Sequence, residues 1–271
     1  MPELPEVEIV RRGLAPHLTG RRLAATSHSG APLRFPLPDF SPLYGRRLLA
    51  VDRRSKYLLF RFEGGLTLVW HLGMTGQFHA LAMVAPPGPF EHVRLDFDGG
   101  VSLRYRDVRR FGYAGLLREN KLMAHPWFAS LGPEPLETSF DSGWLRQVCS
   151  GRRAPIKSLL MDARCVVGVG NIYASESLFR AGIHPARAAG RISAARLFAL
   201  VAAVKTVLAE AIEAGGSSIR DFVHADGKPG YFAHHFAVYG REGRPCPNCG
   251  EPVRRLVQAG RSSFYCPSCQ H

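Results

Sequence analysis

The sequence contains no apolar segment long enough to cross a bilayer. Its most apolar run, Leu197–Val204, has eight residues before Lys205 interrupts it, whereas a membrane-spanning helix needs about 20. The first ten residues carry Glu3, Glu6 and Glu8 and no apolar core, which excludes a secretory signal peptide. Internal repeats and low-complexity tracts are absent as well. We therefore expect a cytoplasmic protein that has no membrane partner.

Acidic residues are scarce. The 271 residues include 22 Asp and Glu against 35 Lys and Arg, so the formal net charge is +13. This excess favours a polyanionic partner, with nucleic acid ahead of an anionic membrane surface, while a merely basic soluble protein is the third interpretation. A hydrophobic fraction of 46% and a charged fraction of 21% exclude a disordered or fibrous chain, and the length suits two domains better than one.

Residues 46–118 have the pattern of an antiparallel β domain. Four segments are rich in Leu, Val, Phe and Tyr: 55–63, 66–72, 92–98 and 101–106. Glycine pairs at 64–65 and 99–100 stand where hairpin turns are needed. The connections are too short for crossover helices, so we predict an antiparallel sandwich or barrel.

A short helix is predicted ahead of these strands. Apolar residues recur there at steps of three and four and form one face: Leu4, Val7, Val10, Leu14 and Leu18. Pro5 fits the first helical turn, where its missing N–H costs nothing.

After Gly132-Pro133 the pattern becomes helical. The predicted helices occupy 141–150, 155–161, 171–182 and 193–214. The fold class is therefore α+β and multidomain. The expected domains are a β domain over 1–133, a helical domain over 134–235 with a Gly- and Ser-containing loop at 215–235, and a small Cys-bearing unit over 236–271.

Four cysteines form two C-x2-C pairs that sixteen residues separate: Cys246, Cys249, Cys266 and Cys269. Each pair can place two thiolates on a tight turn, and four thiolates fit one tetrahedral Zn²⁺ with no open position. We predict a single structural zinc that stabilises a unit too small to fold alone. Cys149 and Cys165 lack this spacing and are expected to be buried thiols. Arginines between the pairs indicate either a hairpin directed at phosphates or solvated charges.

The chain begins Met1-Pro2, and methionine aminopeptidase normally removes Met before Pro. The product is a secondary amine with a pKa near 8, whereas a lysine titrates near 10.4. A larger unprotonated fraction makes it the better nucleophile toward a sugar carbon, and the resulting iminium is always cationic. Glu3 and Glu6 follow it closely, and a neighbouring carboxylate can act as general acid or base.

Seven segments taken together are similar to formamidopyrimidine-DNA glycosylases, which excise oxidised purines such as 8-oxoguanine from DNA. In chain order they are PELPEVE, RRSKY, HLGMTG, RRFG, GVGNIYASE, DGKPGYF and the four-cysteine unit. The resemblance implies an N-terminal β-sandwich with an N-terminal helix, a helix–two-turn–helix domain and a zinc-finger β-hairpin. It also implies base removal followed by nicking at the abasic site, damaged double-stranded DNA as partner, a monomer, and no nucleotide cofactor.

The resemblance assigns catalytic roles to five residues. Pro2 is implied as the nucleophile that forms a Schiff base at C1′, Glu3 as the proton donor and Glu6 as a second acidic residue. Lys56 matches a lysine tied to β-elimination and phosphate contact, and Arg261 matches an arginine tied to δ-elimination. Composition supports Lys56 independently, because only 5 of the 35 basic residues are Lys and a retained Lys favours a need for a compact ammonium.

The resemblance also assigns DNA contacts. Met74, Arg109 and Phe111 match a trio that fills the gap left by the extruded nucleotide, with Arg109 bonding the orphaned cytosine. Asn171 is implied as a phosphate contact at the start of a helix, and Arg152, His92 and Lys157 fall at or near positions that the family uses for DNA contacts. The loop 215–235 is similar to a lid over the extruded base.

Three positions depart from the family pattern. Val108 replaces a proline before the two arginines, which would loosen that loop, and Phe90 replaces a histidine; Thr75 in place of Ser is a mild change. Two alternatives remain open. One is an endonuclease VIII-like preference for oxidised pyrimidines, and the other is a DNA-binding zinc protein without catalysis.

Overall fold

The computed structural model describes residues 2–216 and 236–271. Contacts divide the chain into two compact units: the first contains the residues up to Ala129, and the second starts at Ser130 and includes the C-terminal cysteines. The predicted loop at 215–235 lies, apart from Gly215 and Gly216, outside the described residues. The division into three domains stays a prediction.

The first unit is a β-sandwich with one helix. Its elements are α1 (Leu4–Leu18), β1 (Leu23–His28), β2 (Leu48–Arg54), β3 (Tyr57–Phe62), β4 (Leu66–His71), β5 (Gly76–Ala82), β6 (Glu91–Phe97), β7 (Val101–Asp107) and β8 (Tyr113–Arg118). One sheet has the order β1-β6-β7-β5 and the other β2-β3-β4-β8. All their ladders are antiparallel, as the short connections predict.

Both sheets bury one face in the same apolar core. The ring of Trp70 on β4 lies 5.0 Å from that of Phe78 on β5 and 4.8 Å from that of Tyr105 on β7. The apolar face of α1 packs into this core, with Val7 and Leu14 fully buried. Burial of these side chains provides the main stabilisation of the unit, and the predicted antiparallel sandwich is confirmed.

Local patterns located the central strands but missed β1. The glycine pairs do form the β3–β4 and β6–β7 turns, with φ of 80° and 69° at Gly64 and Gly65. Strand β1 precedes the predicted β region, and only Leu23 of its six residues is buried. A strand with one buried side chain has no apolar alternation, so tertiary pairing with β6 defines it.

The second unit contains the predicted helices, namely α2 (Ser142–Cys149), α3 (Ile156–Leu160), α4 (Asn171–Arg180) and α5 (Ala194–Glu213), and the hairpin β9 (Arg254–Gln258) and β10 (Arg261–Tyr265). Asp141 caps α2 by accepting from the N–H of Trp144 at 2.7 Å. The Glu176 carboxylate on α4 accepts the backbone N–H groups of residues 237–239. This contact anchors the segment that leads into the zinc-binding residues. In the described part of the chain, no helix is long and apolar enough to cross a membrane.

Candidate active site and nucleic-acid interface

The first described residues include a buried proline and two buried carboxylates. Pro2 is buried, and Glu3 and Glu6 are 3% and 2% exposed. Glu3 is the N-cap of α1 and forms a capping box with Glu6, whose Oε2 accepts the N–H of Glu3 at 2.9 Å. Helix N-caps are normally Ser, Thr, Asp or Asn, so a Glu here favours a chemical role for its longer side chain. The capping box fixes both carboxylates at the first turn of α1, the helix that begins two residues after Pro2.

Lys56 lies in the turn between β2 and β3 and is half-buried. The preceding residue, Ser55, is 5% exposed and has a φ of 56°. The Arg53 guanidinium donates to the Ser55 carbonyl at 2.9 Å and to Glu8 on α1 at 3.2 Å. The turn carrying Lys56 is therefore tied to the helix that follows Pro2.

His71, at the end of β4, is a candidate active-site residue that the sequence patterns did not reveal. Its ring stacks on Tyr113 at 4.9 Å and meets Tyr57 edge-on at 5.1 Å. Burial, followed by the charges of Lys56 and Arg34, lowers the pKa of His71 to about 4, so the imidazole is neutral at pH 7. Nδ1 accepts the N–H of Gly73 at 3.0 Å, which leaves the ring proton on Nε2. The sequence feature that could have identified His71 is its position in the HLGMTG segment.

The predicted inserting trio lies on two neighbouring loops. Met74 and Phe111 are 38% and 42% exposed, and the Arg109 guanidinium lies 4.6 Å from the Phe111 ring centroid. A fully buried carboxylate, Asp107, supports them by accepting from the N–H groups of Arg109 at 3.3 Å and Gly112 at 2.8 Å. No local pattern pointed to this carboxylate.

Thr75 and Val108 show how this loop is held. The Thr75 hydroxyl donates to Asp107 and accepts the N–H of Arg109 at 3.1 Å, so Thr keeps the hydroxyl that Ser would provide. Val108 is 59% exposed and does not take part in this network. The carboxylate and hydroxyl therefore fix the loop without a proline at 108.

An open cavity of about 510 Å³ adjoins the trio, lined by Pro32, Arg34, Arg109, Arg110 and Phe111. The Arg34 guanidinium lies over the rings of Phe35 and Tyr113 at 5.6 and 5.9 Å. Within residues 2–216 and 236–271, no carboxylate pairs with any of these three arginines. Unpaired guanidinium groups beside exposed apolar wedges suit phosphates and bases. Arg34 was not predicted from the sequence.

His92, predicted to contact DNA, is buried and faces the protein. One ring nitrogen lies 2.9 Å from the Asp107 carbonyl and the other 3.2 Å from the Ser29 hydroxyl. Because both nitrogens have protein partners, this geometry supports a role in holding the Asp107 loop. The predicted DNA contact of His92 stays a prediction.

In the second unit, a cavity of about 310 Å³ brings together Lys157, Asn171 and Arg261. Lys157 is only 2% exposed, and its ammonium donates to Asn171 Oδ1 at 2.7 Å, to the Ser262 carbonyl at 3.2 Å and to Ser263 Oγ at 2.8 Å. These three hydrogen bonds of the Lys157 ammonium join α3 to α4 and β10. Lys157 therefore positions Asn171 and the hairpin, and its predicted contact with DNA stays a prediction.

Arg152 and Arg261 are exposed. Neither guanidinium has an ion-pair partner among the described residues. Arg261 begins β10 and lines the cavity beside Asn171. Arg152 stays a predicted DNA contact, and Arg261 stays the predicted residue of δ-elimination.

The four predicted metal ligands converge at one point. The ligand atoms of Cys246, Cys249, Cys266 and Cys269 lie within 4.8 Å of one another. Sγ of Cys246 is 3.9 Å from that of Cys269, and Sγ of Cys249 is 3.4 Å from that of Cys266. Tetrahedral Zn–S bonds of about 2.3 Å place sulfurs about 3.8 Å apart, so the set fits one zinc ion without an open position.

The other two cysteines are buried thiols, as predicted. Cys149 and Cys165 are each 2% exposed. Burial raises the pKa of Cys149 to about 11, and burial with neighbouring charges raises that of Cys165 to about 12. Both are therefore protonated at neutral pH and pack as small apolar groups.

Three family models match the chain. They are the formamidopyrimidine-DNA glycosylase N-terminal domain over residues 1–114, the formamidopyrimidine-DNA glycosylase H2TH domain over 131–223, and a zinc finger found in FPG and IleRS over 243–271. Together they cover most of the sequence in the order in which the motifs occur. The last of them supports zinc as the ion of the cysteine site.

Similar proteins cover the whole chain. A formamidopyrimidine-DNA glycosylase of Alkalilimnicola ehrlichii is 52% identical over 278 residues, with all of both chains covered. The crystal structure of MutM (Fpg) from Thermus thermophilus has 44% identity and a TM-score of 0.89, covering 99% of this chain and 98% of that one. A Lactococcus lactis Fpg mutant in complex with Fapy-dG-containing DNA has 32% identity and a TM-score of 0.92 over all of both chains.

Proposed function

The chain belongs to the formamidopyrimidine-DNA glycosylase family, and from this we propose that it removes oxidised purines from double-stranded DNA and nicks the strand. The observation that carries the proposal is Pro2, buried at the start of α1 together with Glu3 and Glu6, in a chain that is 52% identical over its whole length to a protein of that name. The activity is that of a DNA glycosylase and abasic-site lyase in base excision repair.

Pro2, freed of Met1, is the proposed nucleophile. Its nitrogen lone pair attacks C1′, and the N-glycosidic bond breaks with its electrons leaving on the base, which gains a proton. The attached nitrogen then gives up its proton, the sugar ring opens as O4′ takes a proton, and nitrogen and C1′ form an iminium. The positive charge acidifies the C2′ hydrogen, so its removal expels the 3′ phosphate. A further elimination expels the 5′ phosphate, and water hydrolyses the imine to free Pro2.

The remaining roles are proposed from the resemblance of the motifs that carry these residues. Glu3 is the proposed proton donor, and Glu6 holds it through the capping box. Lys56 serves β-elimination and phosphate binding, and Arg261 serves δ-elimination. Met74, Arg109 and Phe111 fill the gap left by the extruded nucleotide, at a cost of a few kcal/mol for unstacking that their contacts offset.

The zinc ion is structural, and the protein acts as a monomer in the cytoplasm, on nucleoid DNA. Four thiolates occupy every position of a tetrahedral ion, so the metal holds the β9–β10 hairpin and takes no part in the reaction. We propose oxidised purines as substrates because the relatives carry the name formamidopyrimidine-DNA glycosylase. Comparison of 8-oxoguanine with oxidised pyrimidines in matched duplexes tests this against the endonuclease VIII-like alternative.

Borohydride trapping tests the Schiff base. Protein whose mass shows loss of Met1 is incubated with an 8-oxoguanine:cytosine duplex and sodium borohydride. We expect a covalent protein–DNA adduct whose peptide map places the DNA on Pro2, and loss of the adduct in protein that retains Met1. A protein that binds the duplex, leaves it intact and forms no adduct after Met1 removal would be the non-catalytic zinc protein.

A further inference from the structure

Glu8 on α1 is a buried carboxylate surrounded by three arginines. Its side chain is 12% exposed and lies 2.7 Å from Arg11, 3.0 Å from Arg12 and 3.2 Å from Arg53. Arg11 and Arg12 belong to the same helix, whereas Arg53 comes from β2, 45 residues further along the chain. Glu8 lies about 6 Å along the helix axis from Leu4, the first residue of α1.

Arg53 connects this carboxylate to the turn that carries Lys56. Its Nε donates to Glu8, and a second nitrogen donates to the carbonyl of Ser55 at 2.9 Å. The Arg53 side chain is itself 12% exposed. A guanidinium has its donors in a rigid fork, so the position of the Ser55 carbonyl depends on that of the Glu8 carboxylate.

The backbone that Arg53 holds is strained. Ser55 has a φ of 56°, a left-handed conformation that is unfavourable for a non-glycine residue. Such strain persists only where surrounding contacts impose it. At Ser55, the hydrogen bond from Arg53 and the burial of the residue hold the backbone in this conformation. Since Lys56 is the next residue, this conformation sets the direction in which its side chain leaves the turn.

A gain in folding stability is a weak explanation for the buried ion pair of Glu8 and Arg53. Burying an ion pair has a desolvation cost that often cancels its Coulomb attraction, and apolar replacements are frequently as stable. A hydrophobic contact between α1 and β2 would join the two elements equally well. What an apolar pair lacks is a directed donor to the Ser55 carbonyl, and this favours positioning as the role of Glu8 and Arg53.

We propose that Glu8 is a positioning residue for strand cleavage: through Arg53 and the Ser55 carbonyl it sets the placement of the Lys56 ammonium relative to α1. This inference rests on the proposed function, which gives Lys56 its part in β-elimination. Glu8 acts through other residues and does not touch the DNA. Its loss therefore slows the elimination step while Schiff-base formation at Pro2 continues.

The test separates the two steps in single-turnover reactions on preformed abasic-site DNA at saturating enzyme. Glu8→Gln keeps the shape of the side chain and removes its charge. We expect nicking to slow about 10- to 100-fold, the range for a small displacement of a catalytic group, while the yield of the borohydride adduct stays within about two-fold of the unaltered protein. Arg53→Lys, which keeps the charge without the fork, should show the same split.

Two further variants make the result specific. Glu8→Gln combined with Lys56→Ala should nick no more slowly than Lys56→Ala alone, because both act on one group. Glu63→Gln is the matched control: Glu63 pairs with Arg22 and Arg47 on the same unit, outside the Glu8 contacts, and should change neither step.

Each other outcome identifies what fails. Additive effects of Glu8→Gln and Lys56→Ala, or a parallel fall in adduct yield and nicking, would assign Glu8 to general stability and overturn the inference. Unchanged nicking in Glu8→Gln overturns it too. If Lys56→Ala nicks like the unaltered protein, the proposed role of Lys56 fails first; if the unaltered protein forms no adduct, the proposed function itself fails.

Discussion

At the residue scale, environment decides the chemistry of individual side chains. His71 and His17 are the same residue type, yet His17 is exposed on α1 and His71 is partly buried against Tyr57 and Tyr113, near two cations. A buried imidazole near positive charges stays neutral because its protonated form loses hydration and meets repulsion. His71 can therefore donate a hydrogen bond from Nε2 at pH 7 without adding to the local charge.

The low pKa of His71 predicts a pH dependence of stability. A histidine titrates near 6.5 when unfolded and near 4 here, so the unfolded state takes up the proton first as the pH falls. The contribution of His71 to the free energy of unfolding is complete above about pH 6.5. It is lost as the pH falls to about 4, by about 3 kcal/mol in total. Denaturant unfolding between about pH 4 and 7 should show this decline reduced in His71→Gln and retained in His17→Gln. Equal pH profiles for all three proteins would contradict the assignment.

At the element scale, the wedge loops depend on close backbone approach. Gly73 has a φ of 70°, and a Cβ there would lie 2.5 Å from both the Gly112 nitrogen and the Phe111 carbonyl carbon. Asp107, which accepts from the Thr75 hydroxyl, also accepts the N–H of Gly112 in the loop that faces Gly73. The two loops that carry Met74 and Phe111 are thus packed backbone to backbone, and their geometry requires a residue without a side chain.

Gly73→Ala is therefore expected to move the 109–112 loop. The substitution combines a left-handed backbone, costing about 1–2 kcal/mol, with a clash that costs about 1–3 kcal/mol more. Gly65→Ala is the control, since Gly65 has a φ of 69° and nothing within 4 Å. Urea unfolding should show a greater loss for Gly73→Ala, and only that variant should lose lesion excision. Equal losses in stability would show that the contact with residues 111–112 is not limiting.

At the scale of the whole molecule, the chain combines a sandwich, whose core is apolar, with a unit whose last part depends on a metal. The β9–β10 hairpin has a small apolar cluster that includes Val238, Val253 and the buried cysteines Cys246 and Cys266. So small a core cannot offset the conformational entropy of folding, and zinc binding supplies the difference. Lys157 then joins the hairpin to α3 and α4.

Zinc analysis of cysteine variants tests this dependence. The protein should contain one zinc per chain, Cys266→Ser should lose it, and Cys149→Ser, which changes a buried thiol outside the site, should keep it. Loss of zinc should also abolish DNA binding, because the hairpin that carries Arg261 unfolds. Full DNA affinity in zinc-free Cys266→Ser would show that the hairpin does not contribute to DNA binding.

Sequence patterns predicted those parts of the site whose geometry is local. The cysteine spacing gave all four zinc ligands, and the placement of Glu3 and Glu6 around a helix start gave the carboxylates beside Pro2. The same patterns missed Asp107 and His71, and they did not reveal that Lys157 and His92 are buried with protein partners. The acceptors of Lys157 lie 14 and more than 100 residues away, and no local pattern encodes such partners.

The order of residues by itself determined α1, the hairpin turns, the helices of the second unit and the metal ligands, because periodicity, glycine conformation and thiolate spacing act over a few residues. Tertiary structure decided which polar groups are buried and what they bond. Burial makes His71 neutral, it turns Lys157 toward Asn171 and Ser263, and it joins Glu8 through Arg53 to the turn before Lys56. These effects arise from desolvation and from contacts between distant segments, which exist only once the chain has folded.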